Sequence, residues 1–362
     1  MTRFGIEEEF LLVDAATGLP AVPGESEIEA LCGIEGGGSR THQELLTCQV
    51  ESASPVLEDA EQALASLRGY RRALEPGAVA LGFRGLGIGA APLAPEWPAP
   101  ATNTPRYRGI EALAAGIVGD QYVSGLHVHV EVPDREAGVR ALNSLRPWIP
   151  LLVAIGGNSP LWRGRDTGFA SWRTIHYRRW SVQGIPPLFA GADDYDTRLE
   201  RMLATDTVLD TGYLAWTARL SSRYPTVEVR AADTQLEARD AVLIALMVRA
   251  LVRAELEDPA VPDPGAAGPE LLDVALWQAA QAGLDGRLLD PRDGASRPAG
   301  DVLAALLRRI GPFLRIHGDT EFVDSGLRRL EREGAGARRQ RDVLASGGVS
   351  GLIAYAAAAL PR

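Results

Sequence analysis

The sequence predicts an α+β protein, and three observations carry that class. Phe4–Val13, Tyr122–Val132 and Thr226–Arg230 read as strands, each with a polar and an apolar face. Long helical periods separate them, and after residue 258 helices fill the rest of the chain. A sheet with one face packed on helices and the other open and polar produces this pattern. The composition agrees: 362 residues, 46% hydrophobic and 23% charged, are ordinary for a soluble globular protein of enzyme size.

The first strand carries three carboxylates, Glu7, Glu8 and Glu9, in an otherwise apolar run. Alternation puts Glu7 and Glu9 on one face and Glu8 on the other, where an arginine would suit it as a structural partner. Asp14–Gly24 reads as a turn-rich connection, Glu25–Leu31 as a weak helix, and Gly36–Ser39 as a flexible loop. Thr41–Ser52 fits two short strands or one bent one. Ser54-Pro55 predicts a helix start, serine capping and proline first, with Pro76-Gly77 ending the helix. Ala78–Ala91 is strand-like, and its glycines at 82, 85, 87 and 89 do not open a helix, so they make no dinucleotide fingerprint. Pro92–Pro105 is a proline-rich loop long enough to be a lid or rim, and Tyr107–Gly119 is a helix.

Arg135–Ile155 reads as a long helix kinked or broken at Pro147. Residues 158–187 are irregular, aromatic and arginine-rich. Helices are predicted over Thr197–Leu209 and Ala238–Glu257, and Pro259–Pro269 reads as a linker. Leu271–Ala282, Asp301–Ile316, Glu321–Glu333 and Val349–Leu360 then read as helices. The expected organisation is a catalytic α+β core over residues 1–258 with a helical region over 259–362 packed on it.

Composition excludes several chemistries. All 37 basic residues are arginines, which removes Schiff-base, P-loop and kinase-type lysines. Phosphate handling would therefore use arginine, backbone N–H groups or metal ions. A net charge of -10 argues against a nucleic-acid surface. No signal peptide and no apolar run near the length of a membrane span are apparent, so a cytoplasmic protein is expected, with Cys32 and Cys48 reduced and structural.

The chemistry-bearing residues lie on the three strands. Glu7 and Glu9, His127 and His129, and Glu228 and Arg230 share faces pairwise, opposite apolar Ile6, Val128 and Val227. Each pair has a bland explanation: an aggregation-blocking edge strand, a hydrogen-bonded histidine, a self-neutralising surface pair. Together they supply oxygen and imidazole ligands suited to Mg²⁺ or Mn²⁺, with arginines to hold phosphates. A two-histidine-one-carboxylate iron or zinc site ranks below this, and no HExxH helix supports a zinc protease.

Gly5-Ile-Glu-Glu-Glu-Phe10, Gln49-Val-Glu51, Ser124-Gly-Leu-His-Val-His-Val130, Phe169-Ala-Ser-Trp-Arg173 and Thr226-Val-Glu-Val-Arg-Ala-Ala-Asp-Thr234 occur in that order. Together with Ser346–Leu352 they resemble the type 2 glutamate–cysteine ligases, also called carboxylate–amine ligases. The resemblance implies a glutamine synthetase-like fold: a curved antiparallel sheet with helices on its convex face. It implies ATP and Mg²⁺, with Mn²⁺ as a substitute, and amide formation through an acyl phosphate. Glu7, Glu9, Glu44, Glu51, His127 and Glu228 would ligate metal. Arg230 would contact the transferred phosphate, and Arg173 and Arg219 would contact phosphate or a substrate carboxylate, with Arg230 and Arg173 as the catalytic pair. His129, Glu131, Trp172 and Arg178 would face the small-molecule substrates, an amino acid and an amine. Glu131 and Thr217 depart from the family pattern, which places the departures on the substrate side. A guanidino-kinase-like phosphotransferase and a non-catalytic metal or nucleotide binder are the alternatives, and an exposed sheet edge leaves room for a homo-oligomer.

Overall fold

The computed structural model describes all residues except Met1, Trp97 and residues 259–267. The chain opens with strand β1 (Phe4–Asp14), helix α1 (Glu25–Cys32), strands β2 (Glu35–Gly36), β3 (Ser39–Gln43) and β4 (Gln49–Ala53), helix α2 (Ala60–Ala80) and strand β5 (Phe83–Leu86). Helix α3 (Pro105–Ala114) leads through a 3-10 turn to β6 (Gly125–Glu131), followed by α4 (Arg135–Leu145) and α5 (Ile149–Gly156). Then come β7 (Leu161–Trp162), β8 (Arg165–Asp166), α6 (Trp172–Tyr177), β9 (Gln183–Gly184), α7 (Ala192–Leu203) and β10 (Ala215–Trp216). Strands β11 (Ala218–Leu220) and β12 (Thr226–Asp233) precede the long helix α8 (Ala238–Glu257). The remainder is α9 (Pro269–Ala282), a ribbon of β13 (Arg287–Leu289) and β14 (Ser296–Pro298), and helices α10 (Ala299–His317), α11 (Thr320–Glu333) and α12 (Gly336–Ala359).

The main sheet runs β11-β12-β6-β1-β4-β3-β2, with β5 pairing the far end of β1. Neighbours in it are antiparallel. Its even-numbered face on β1 and β6 carries Phe4, Ile6, Val128 and Val130, all buried. Against this face and its continuation on β11 and β12 pack α4, α5 and α8. Helix α8 is buried on nearly every side, from Ala238 to Glu255, because α2, α10 and α11 cover its back. Glu8, a charge on the apolar face, is fully buried and bonded by Arg71 of α2, with Nε at 3.0 Å and Nη2 at 2.5 Å. Arg71 also donates to the carbonyls of Gln235 and Leu236 at 3.0 and 3.1 Å, tying β1 to the turn between β12 and α8.

Several elements differ from the sequence expectation. Residues 36–39 form a tight hairpin, with Gly37 and Gly38 at φ 60° and 82°, values that suit the twist of two-residue strand connections. Ser54 does not cap a helix; its hydroxyl accepts from the Ile6 N–H at 3.0 Å, and α2 starts at Ala60 behind an Asp59 cap. The same helix runs through Pro76 to Ala80, because Leu74 and Ala78 are buried on either side of the exposed proline. As expected, Pro147 divides α4 from α5, through a 3-10 turn. Helix α7 begins at Ala192, five residues early, where Asp193 and Asp194 occupy its first turn.

Helix α12 begins at Gly336 rather than Val349 and is broken at Gly348. Within Thr320–Ala359 one window is long and apolar enough, by length and composition, to cross a membrane, contrary to the sequence expectation. Part of that apolarity is used internally, since Ala356, Ala357 and Ala359 join the main core. Most of the predicted linker, residues 259–267, lies outside the described residues.

Candidate active site

Strand register assembles the site. Directly opposite residues in an antiparallel pair share a face. Glu7 stands opposite His127, Glu9 opposite Glu51, Glu228 opposite His129, and Arg219 opposite Glu228. Residues far apart in sequence thus meet on the face away from the helices. A bulge between Val229 and Ala232 shifts the register of β12 just beyond Arg230.

The contacts are short and mutual. His129 Nε2 lies 3.2 Å from Glu7 Oε1, and its Nδ1 lies 3.0 Å from the Thr226 hydroxyl. His127 places Nδ1 3.2 Å from Glu7 Oε2 and Nε2 3.4 Å from Glu9 Oε1. Arg230 donates to Glu228 and, at 3.2 Å, to His127 Nδ1. Arg219 grips the other side of Glu228 with Nε at 2.8 Å and Nη2 at 3.1 Å, while Nη1 caps the Thr211, Gly212 and Leu214 carbonyls.

Charge separates the acids into two groups. Burial pushes Glu9 up to about 7, helped by nearby Glu44, and burial with Glu44, Glu7 and Glu9 pushes Glu51 well up. Burial acts on Glu7 in the same direction, but the adjoining His127 and His129 imidazoles outweigh it and hold Glu7 low. Glu228 is likewise held low against burial, by Arg230 and Arg219. Burial and the Arg230 charge bring His127 down to about 3, whereas Glu7 holds His129 above its ordinary value in spite of burial.

The other wall of the site is cationic and aromatic. Arg173, on the first turn of α6, is 4% exposed and donates from both terminal nitrogens to the Arg230 carbonyl at 3.3 and 3.2 Å. Its guanidinium lies over the Tyr177 ring, 4.8 Å from the centroid, and against Gly125, where any Cβ would come within 2.3 Å of Nη2. Gly125 N–H in turn donates to Glu9 at 2.6 Å. Arg173, Tyr177, Thr217 and Arg230 line one cleft.

Of the expected metal ligands, Glu7 and Glu228 belong to a cluster whose ligand atoms lie within 4.8 Å of one another, with His129 rather than His127 as its third member. Glu9 and Glu51 face each other beside it, and Glu44 reaches the same region, accepting from the Tyr107 hydroxyl at 3.2 Å. The residues fit a divalent cation on their own chemistry. Four carboxylates crowd one another, and the Nε2 atoms of His127 and His129 are buried with no hydrogen-bond partner of adequate geometry among the described residues.

Other expected residues sit differently. Arg178 points away into a bidentate pair with Asp273 of α9, both bonds 2.7 Å. Trp172 packs against Phe169 and His176 beside the site. Glu131 shares the histidines' face but is paired with Arg3 at the exposed end of the sheet, which holds its carboxyl low. Sequence reasoning missed Tyr177, four residues beyond Arg173 on α6, and Tyr107. Helical i, i+4 spacing from Arg173 carried the signal for the first; nothing local carried it for the second.

The profile of glutamate–cysteine ligase family 2 matches residues 3–354. A Nocardia farcinica protein provisionally named glutamate–cysteine ligase 2-1 is 41% identical over 337 residues, covering 93% of this chain and 87% of the relative. The fold is shared with an AMP-bound glutamate–cysteine ligase of Francisella tularensis, at TM-score 0.68 and 14% identity, covering 99% of this chain and 88% of that one. A bifunctional glutathione synthetase of Pasteurella multocida superposes at TM-score 0.65 and 16% identity, covering 99% of this chain and 51% of that one. The match in sequence runs through the strands that bring Glu7, His129 and Glu228 together, and the chain belongs to the glutamate–cysteine ligase family 2.

Proposed function

We propose that this ATP-dependent carbon–nitrogen ligase joins an amino-acid carboxylate, the γ-carboxylate of glutamate, to the amine of a second small molecule such as cysteine. One observation carries the reading: three strands bring Glu7, His129 and Glu228 within ligand distance of one another beside Arg230. Glu7, His129 and Glu228 would hold a Mg²⁺ ion, with Glu9, Glu51, Glu44 and His127 as the further ligands beside them. When bound, Mg²⁺ neutralises charge on the phosphate oxygens.

The chain's own residues do the rest. A substrate carboxylate oxygen attacks the γ-phosphorus of ATP, ADP departs, and an acyl phosphate remains. Arg230 and Arg173 stabilise the charge on the transferring phosphoryl group, and their burial makes each contact stronger than it would be in water. The amine nitrogen then attacks the acyl carbon, phosphate leaves, and the nitrogen gives up a proton. Arg219, with every nitrogen engaged, orients Glu228 rather than touching phosphate. The Glu131–Arg3 pair and Thr217 adjust which amino acids fit. The cytoplasm, which supplies ATP and Mg²⁺, is the proposed compartment.

The family match does not favour the guanidino-kinase alternative. Purified protein with Mg²⁺, ATP and an amino-acid panel should release ADP only when acid and amine are both present, with an amide in the mass spectrum. ADP release with a phosphorylated guanidine and no amide would overturn the proposal.

A further inference from the structure

Asp233 ends β12, the strand that carries Glu228 and Arg230, and is 0% exposed. A carboxylate so placed is costly unless fully satisfied. Its hydrogen-bond donors come from one segment. Asn158 N–H donates to Oδ2 at 2.8 Å, the Ser159 hydroxyl to Oδ2 at 2.6 Å, and the Ser171 hydroxyl to Oδ1 at 2.8 Å. The Arg173 guanidinium lies 3.9 Å from Oδ1.

The two hydroxyls pass the constraint on. Ser159 Oγ accepts from the backbone N–H of Arg173 at 3.1 Å. Ser171 is the N-cap of α6, its Oγ accepting from Thr174 N–H at 3.2 Å. Helix α6 spans only six residues, far too few to hold its own shape in water. Its first turn is therefore set by what caps it, and both capping hydroxyls are oriented by one buried charge. The Arg173 side chain that leaves this turn lines the cleft, and its Nε has no hydrogen-bond partner among the described residues.

We propose that Asp233 is a positioning residue for the ligase reaction: through Ser159 and Ser171 it sets the first turn of α6 and so aims the Arg173 guanidinium at the transferring phosphate. This rests on the ligase reading above. Among the described residues no hydrogen bond or ion pair joins Asp233 to the clustered acids, so its role separates from metal binding.

The test compares Asp233→Asn, Arg173→Gln and the double variant by ADP release, with Mn²⁺ affinity by calorimetry and a crystal structure of Asp233→Asn. Asp233→Asn should lower kcat about 10²-fold, the cost of misplacing a group by about 1 Å. In the Arg173→Gln background it should add almost nothing, and Mn²⁺ affinity should stay at the parental value. The crystal structure should show Arg173 displaced from the Arg230 carbonyl with the sheet unmoved. Losses that multiply, a matching fall in Mn²⁺ affinity, or an unmoved Arg173 would each overturn the proposal. If Asp233→Asn does not fold, Ser159→Ala with Ser171→Ala carries the same expectations. If the parent protein releases no ADP with any amino-acid pair, the ligase reading falls, and the position of Arg173 in the crystal structure still decides the inference.

Discussion

Arg230 donates to Glu228 and to His127 at once, so its charge serves the acid that would bind metal and keeps the imidazole neutral. Removing that charge should separate two functions. Arg230→Gln is expected to lower kcat about 10²–10³-fold, the usual cost of losing one transition-state donor. Its Mn²⁺ affinity should hold or rise, because Glu228 loses a competing cation; calorimetry beside ADP-release kinetics checks both. Glu228→Gln should do the reverse and weaken Mn²⁺ binding first, leaving Arg219 without its acid. At this scale, strand alternation alone was enough to group Glu7 with Glu9 and Glu228 with Arg230. It did not choose between His127 and His129, because both share the face and only cross-strand register separates them. Arg178 was misread for a related reason: an irregular segment gives no period from which a side chain's direction follows.

The clamp of Arg71 on Glu8 shows what an element can do that a single site residue cannot. Helix α2 reaches through the apolar layer to hold β1 against the β12–α8 turn, with both charges at 0% exposure. Arg71→Met should cost about 3–5 kcal/mol in urea unfolding, since it strands a buried carboxylate. Adding Glu8→Leu to it should recover most of that loss, because an apolar pair of similar volume needs no solvation. An arginine partner for Glu8 was expected from the sequence; that it comes from α2 depends on tertiary packing. The same dependence explains α2 itself. Ser54-Pro55 has the composition of a helix start, but Ser54 is used by β1 and the cap passes to Asp59. Helix α8, buried almost all round, was legible end to end because nothing competes with its period.

Across the whole molecule, titration of the site couples to folding. Glu9, pushed up to about 7, and Glu51, also raised, hold protons that the unfolded chain has released, so stability falls as pH rises through 7. His127 and His176, both at about 3, and His317, at about 4, act oppositely: they stay neutral while the unfolded chain takes up protons below its ordinary 6.5, so stability falls as pH drops below that value. Metal-free protein should therefore show its highest Tm near pH 6.5. Mn²⁺ or Mg²⁺ should raise Tm more at pH 8 than at pH 6, since below neutrality protons compete for the same carboxylates; calorimetric scans with and without metal test this, and a flat metal effect would contradict it. Strand order adds a further consequence. β6 lies inside the sheet, hydrogen-bonded to β1 on one side and β12 on the other, whereas β2 is an edge. In deuterated buffer the amides of β6 should exchange only through global unfolding, long after those of β2. Fluctuations at the sheet edge would thus leave the histidine strand shut, and the ligands would come apart only when the molecule itself does.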